Sequence, residues 1–152
     1  MASRRENYAY TVSGLPSVTL VAVEVRRCGS CGEHEVVIPR VDELHRTIAL
    51  AVVAKRARLT GSEVRFLRRY LGWSGADFAR HMGVTPESVS RWENEREPIG
   101  PVADRLVRLM VAVRTPASEY PLEVLVGLDA KAAPLRLRLE STRGRWLARA
   151  AA

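Results

Sequence analysis

Between Thr60 and Pro101 the chain carries helix start and stop signals so closely spaced that only short helices fit. Thr60-Gly61-Ser62-Glu63 has the form of a capping box and opens one helix. Gly72 closes it. Ser74 can cap a second helix over 75–82, which Gly83 ends. Thr85 caps a third, with Pro86 at its first position, where a missing N–H costs nothing. Pro98-Ile99-Gly100-Pro101 breaks the chain again, and Val102, Leu106, Leu109, Met110 and Val113 line a last helix. Such a segment can only bury its apolar stripes as a compact bundle of short helices.

The stretch Gly75–Asn94 has the pattern of two short helices crossing steeply. Ala79 is the small residue at the contact and Gly83 the turn. Phe78, Met82, Val84, Val89 and Trp92 complete an inward seam. Thr85, Pro86, Glu87, Ser90, Arg91 and Asn94 are left outside, short or polar, as suits a helix entering the major groove. A generic bundle also shows glycine breaks, but not seven inward positions in register with a cap, a proline and a polar outer face. The expected base-reading residues are Arg91, Glu87, Ser90, Thr85 and Pro86. Arg91 can fork onto O6 and N7 of guanine. Glu87 either accepts from cytosine N4 or is an N-terminal helix charge. Ser74 and Gly75, at a helix N-terminus, and Arg80, Arg96 and Arg105 are the expected phosphate contacts. Each of these arginines can equally be a solvated surface charge.

Around this segment the pattern is mixed, so the expected class is α+β. Residues 7–38 read as three strands: Tyr8, Tyr10 and Val12 alternate with smaller or polar residues, and Val18 to Val25 is rich in β-branched residues. In that second run Val18, Leu20, Ala22 and Glu24 fall on one face and Thr19, Val21, Val23 and Val25 on the other. Residues 41–58 read as a helix with Leu44, Ile48, Ala51 and Val52 in one stripe and Lys55, Arg56 and Arg58 in its last turn. The tail is a linker from Pro116 to Pro121, an ambiguous apolar run from Leu122 to Leu128, then a strand at 135–140, a turn at 141–144 and a returning strand. Its Arg-Leu alternation is either a half-buried strand with a wet face or a partner surface. The expected organisation is a zinc-ribbon-like β unit with a connecting helix (1–59), a helical domain (60–115) and a β-hairpin tail (116–152).

Composition supports a soluble, cytoplasmic, basic protein. The formal charge is +7, and 22 of the 24 basic residues are arginine. The planar guanidinium suits phosphates and guanine edges, although a GC-rich genome's codon choice gives the same bias. The longest run without a polar side chain, Ile48 to Ala54, is far short of a membrane span. No apolar stretch follows the N-terminal arginines, so no secretory signal is expected.

Cys28-Gly29-Ser30-Cys31-Gly32 makes a tight turn with the shape of a zinc knuckle, but it supplies two ligands of the usual four. His34 is too near to complete it easily; His45 is a further candidate. Four readings stand: loss of the site, one metal shared by two chains, a start upstream of Met1, or a redox-active pair. Zinc is therefore expected only if another chain or missing residues complete the site. No catalytic constellation is found, and no enzyme activity is expected.

Leu71-Gly72-Trp73-Ser74-Gly75-Ala76-Asp77-Phe78-Ala79, Gly83-Val84-Thr85 and Val89-Ser90-Arg91-Trp92-Glu93 resemble the phage-repressor and Cro (XRE) helix-turn-helix, and more narrowly the C-terminal domain of MqsA-type antitoxins. Upstream, Tyr8-Ala9-Tyr10, Ser13-Gly14-Leu15, Cys28 to Glu33, Ile38-Pro39 and Leu44-His45 resemble the second half of that family's zinc-binding module; the resemblance spans roughly residues 8–114. It implies a lambda-repressor-like domain, base reading by an arginine at Arg91 and by an asparagine where Glu87 stands here, and a structural Glu93 tied to the loop after the recognition helix. The family's other cysteine pair has no counterpart in residues 1–27. The expected function is a dimeric transcriptional repressor binding a double-stranded operator, or an antitoxin that also masks a toxin protein. The alternative is a protein-interaction or thiol-redox module with the helical part as scaffold.

Overall fold

The computed structural model describes residues 1–115 and 127–151. It is an α+β fold of five helices and a five-stranded mixed sheet among those residues. The strands are β1 (Ala2–Ala9), β2 (Val18–Arg27), β3 (His34–Val37), β4 (Leu137–Thr142) and β5 (Arg145–Ala150). The helices are α1 (Val41–Ala54), α2 (Gly61–Tyr70), α3 (Gly75–Met82), α4 (Pro86–Glu93) and α5 (Pro101–Arg114). None of the described helices is long and apolar enough to cross a membrane. The linker expected at Pro116–Pro121 and most of the ambiguous run after it lie outside the described residues.

β2 is the organising strand. One edge pairs antiparallel with β1 along its length. The other edge takes β4 in parallel at Val18–Val21 and β3 antiparallel at Glu24–Arg27. The C-terminal hairpin thus joins the N-terminal sheet, with Ala148, Leu139 and Leu20 in one row. The hairpin turns at Arg143-Gly144 rather than over 141–144, because β4 continues through Thr142.

The two-face reading of β2 is corrected by a bulge. Glu6 pairs Val23 and Tyr8 pairs Leu20, so one residue of β1 opposes two of β2. Ala22 takes the extra place at φ 53°, and its N–H donates to Asn7 Oδ1 at 3.2 Å. The extra residue inverts the alternation, so Val18 and Leu20 are buried with Val23 and Val25. The first strand also differs from expectation. It runs from Ala2 to Ala9, and Thr11–Ser13 forms a 3-10 turn closed by Gly14 at φ 75°. Tyr10 is buried there, while Val12 is 75% exposed.

α1 stops at Ala54, before Lys55, Arg56 and Arg58, so those three are not its last turn. The reason is a buried polar cluster. Arg108, fully buried on α5, donates to the carbonyls of Val53, Lys55 and Ala57 and to Asp104 Oδ1. It thereby satisfies a carbonyl that the end of α1 leaves open. Asp104 accepts the Leu59 N–H at 2.8 Å. The Lys55 ammonium pairs with the buried Glu63 carboxylate and donates to the Ala133 carbonyl. Burial pulls the Lys55 pKa below the usual lysine range, against the opposing pull of Glu63. Glu63 also accepts from Thr60 N–H, closing the capping box, and from Leu135 N–H in the tail. This cluster joins α1, α2, α5 and the segment before β4. The apolar core is continuous around it, from Leu20, Val25 and Leu139 in the sheet through Leu44, Ile48 and Leu67 to Phe78 and Val107.

Candidate functional site

α3 and α4 are built by local chemistry. Ser74 Oγ accepts the Asp77 N–H and Thr85 Oγ1 the Ser88 N–H, so each helix starts on a side-chain cap. Pro86 opens α4. Gly83 adopts φ 67°, the left-handed conformation that ends α3 and that a side chain would strain. Phe78, Ala79, Met82, Val89 and Trp92 are buried and Val84 is half-buried. α4 is also tied to α2. The Glu93 carboxylate accepts from Arg65 Nε at 3.2 Å and from Arg68 Nε and Nη2 at 2.5 and 3.1 Å. Glu93 therefore binds back to α2, not forward to the loop, because both arginines project from the neighbouring helix.

Thr85, Pro86, Glu87, Ser90 and Arg91 are all exposed along α4 and its cap. The Arg91 side chain is 56% exposed, and its ion pair with Glu97 is loose at 3.8 Å. Two hydroxyls of the face are already engaged. Thr85 Oγ1 is used in the cap, and Ser90 accepts from Asn94 Nδ2 through its carbonyl and its Oγ. Asn94 Oδ1 in turn accepts from Arg65.

The expected phosphate contacts do not form one group. At the start of α3, Ser74 Oγ donates to Asp77 Oδ2 at 2.7 Å, and Arg80 pairs with Asp77 Oδ1 at 3.1 Å. The Ser74 hydroxyl bond, first, and the positive charges of Arg80 and His81 hold the Asp77 carboxyl below its ordinary range. A phosphate at Ser74 and Gly75 therefore meets a carboxylate that draws on the same donors. Arg96 is exposed beyond α4. Arg105 donates to the Pro101 carbonyl and lines a cleft with Arg58, Asp104 and Leu128 to Ala130, to which α3 and α4 contribute nothing. Sequence reasoning also missed a stack beside α3. The His81 ring lies on Trp73 at 3.9 Å and 12°, with its Nδ1 2.7 Å from the Asp77 carbonyl. The eight-residue separation of Trp73 and His81 was its only signal.

Cys28 and Cys31 lie in the turn between β2 and β3, both free thiols. The Ser30 hydroxyl, 3.0 Å from Cys28 Sγ, and the backbone amides of the turn lower the Cys28 pKa to about 6. Among the described residues no three His, Cys, Asp or Glu come together as a metal site. His45 Nε2 is instead 2.8 Å from the Tyr10 hydroxyl. The pair alone does not fit a structural zinc, which takes four ligands.

No family model, curated protein or solved structure matches this chain. The resemblance drawn over residues 8–114 rests on those residues alone.

Proposed function

We propose that the protein binds double-stranded DNA sequence-specifically as a two-fold dimer and represses transcription by occupying its operator. The observation that carries this reading is the division of α4. Val89 and Trp92 are buried and Glu93 is pinned to α2, while Thr85, Pro86, Glu87, Ser90 and Arg91 face solvent from a rigid, doubly capped helix pair. A base-reading helix needs that combination of fixed frame and polar outer face. Arg91 is the guanine reader, since its exposed pair with Glu97 is weak enough to exchange. The dimer reading is supported by α5. Val102, Leu106, Leu109 and Val113 recur at spacings of four, three and four, and Val102 and Val113 are 80% and 78% exposed. A two-fold dimer through this stripe requires half-sites about 34 Å apart or a multiple of it.

Selection from a random duplex pool supplies the operator, and three variants test the assignment. Arg91→Ala is expected to cost about 1–3 kcal/mol on that operator and to relax one base position, with thermal stability nearly unchanged. Arg80→Ala is expected to weaken operator and random DNA alike and to reduce the salt slope by about one. Trp92→Ala is expected to destabilise the domain by about 3–5 kcal/mol. A folded Arg91→Ala protein with unchanged affinity and selectivity overturns the reading.

A further inference from the structure

α1, the end of α2 and the end of α5 border a cleft of about 380 Å3 on which Arg46, Arg69 and Arg114 converge, with Asp42 as its carboxylate. None of the three guanidiniums has an ion-pair partner among the described residues. Arg69 and Arg114 stand in the last turns of their helices, where the dipole favours a cation. That explains Arg69 and Arg114 singly, but not three cations bordering one concavity. Like charges brought together repel, and an anion in the cleft removes that cost. Three cations and one carboxylate leave a charge of +2, which favours a phosphorylated anion, and the guanidinium fork matches phosphate oxygens in pairs.

A second cleft, about 220 Å3, adjoins the first through His45, Arg69 and Tyr70. Its other walls are Val12, Ser13 and Phe66. The walls are fixed. The Tyr10 hydroxyl lies 2.8 Å from His45 Nε2, the Tyr70 hydroxyl lies 3.0 Å from Thr115 Oγ1, and the His45 ring stands edge-on to Phe66. Val12, held out at 75% exposure by the 3-10 turn, lies at the lip. An exposed valine beside a ring-lined recess is a surface for an apolar, planar group. The cationic chamber and the apolar annex together have the build of a small-ligand site: mostly preformed, with a few convergent polar groups.

We propose that this double cleft binds a phosphorylated small molecule carrying a planar ring, of the nucleoside diphosphate class. The phosphates lie against Arg46, Arg69 and Arg114, and the ring lies against Tyr70 and Val12. Asp42, an acceptor on the wall of the cationic chamber, suits a hydroxyl of the ligand. The site belongs to α1, α2, α5 and the 3-10 turn at Thr11–Ser13 and takes no residue from α3 or α4, so it stands or falls independently of the DNA-binding reading.

Isothermal titration of the full chain with adenosine diphosphate, inorganic pyrophosphate and adenosine tests it at physiological ionic strength. The expected result is saturable binding of one adenosine diphosphate per chain. Pyrophosphate and adenosine should each bind about ten-fold or more weaker. The double variant Arg46→Ala/Arg114→Ala is expected to lose about ten-fold or more in affinity. Arg138→Ala/Arg149→Ala removes the same charge from the outer face of the sheet, where these two residues are cross-strand partners. It is expected to change affinity less than about two-fold, since exposed distant charges are screened. Circular dichroism verifies that both double variants fold. Absence of saturable adenosine diphosphate binding at millimolar concentration overturns the proposal. So does an equal loss in the two double variants, or pyrophosphate binding as tightly as the nucleotide.

Discussion

Glu93→Ala probes how the outer face of α4 is held in place. In the structure the carboxylate is 9% exposed and receives three guanidinium hydrogen bonds. The two from Arg68, whose own side chain is only 14% exposed, form a fork onto the carboxylate. A largely buried bidentate pair of this kind is worth about 2–3 kcal/mol, because its loss leaves a guanidinium short of partners. Arg68 retains one bond, from Nη1 to the Trp73 carbonyl, which keeps the cost from exceeding that range. The Arg65 contribution is smaller. Its side chain is 38% exposed and also reaches the Glu93 carbonyl and Asn94, so water and those acceptors replace the carboxylate for about 0–1 kcal/mol. The expected total is about 2–4 kcal/mol, measured as the shift in urea midpoint with an unchanged slope. For a chain of this size that corresponds to roughly 5–15 °C in Tm. Glu93→Gln keeps the volume but turns an amide donor toward guanidinium donors, so it is expected to recover less than half of the loss. A cost below about 1 kcal/mol for Glu93→Ala refutes the reasoning, as does full recovery in Glu93→Gln. Either result means that packing, not the arginine fork, fixes α4.

Two other outcomes follow from single residues. Gly61→Ala places a Cβ 2.5 Å from the Trp92 carbonyl and 2.8 Å from that of Glu93, so it should destabilise by about 1–3 kcal/mol in urea unfolding, although alanine is the better helix former. Cys28 should alkylate with iodoacetamide along a pH curve of midpoint about 6, since only the thiolate reacts, and Ser30→Ala should move that midpoint upward by removing the largest cause of the shift; a wild-type midpoint in the ordinary thiol range sinks this account.

What could be read directly from the amino-acid order was whatever is decided within about four residues. The caps at Thr60, Ser74 and Thr85, the left-handed Gly83 and the buried seam Phe78–Ala79–Met82–Val89–Trp92 depend on local hydrogen bonds and helical period. The exposure of Arg91 and Glu87 followed from the same period. Pairings across long separations decided the rest. The phase of β2 depends on Asn7 meeting Ala22, and the end of α1 on Arg108 reaching carbonyls more than fifty residues earlier. The place of the hairpin depends on Leu137 finding Val18, and Glu93's partners lie on α2, 28 and 25 residues earlier. Buried charges such as Lys55, Glu63, Asp104 and Arg108 look like surface residues in a one-dimensional pattern. Only the folded chain removes them from water, and only there do the partners that make their burial tolerable come within reach.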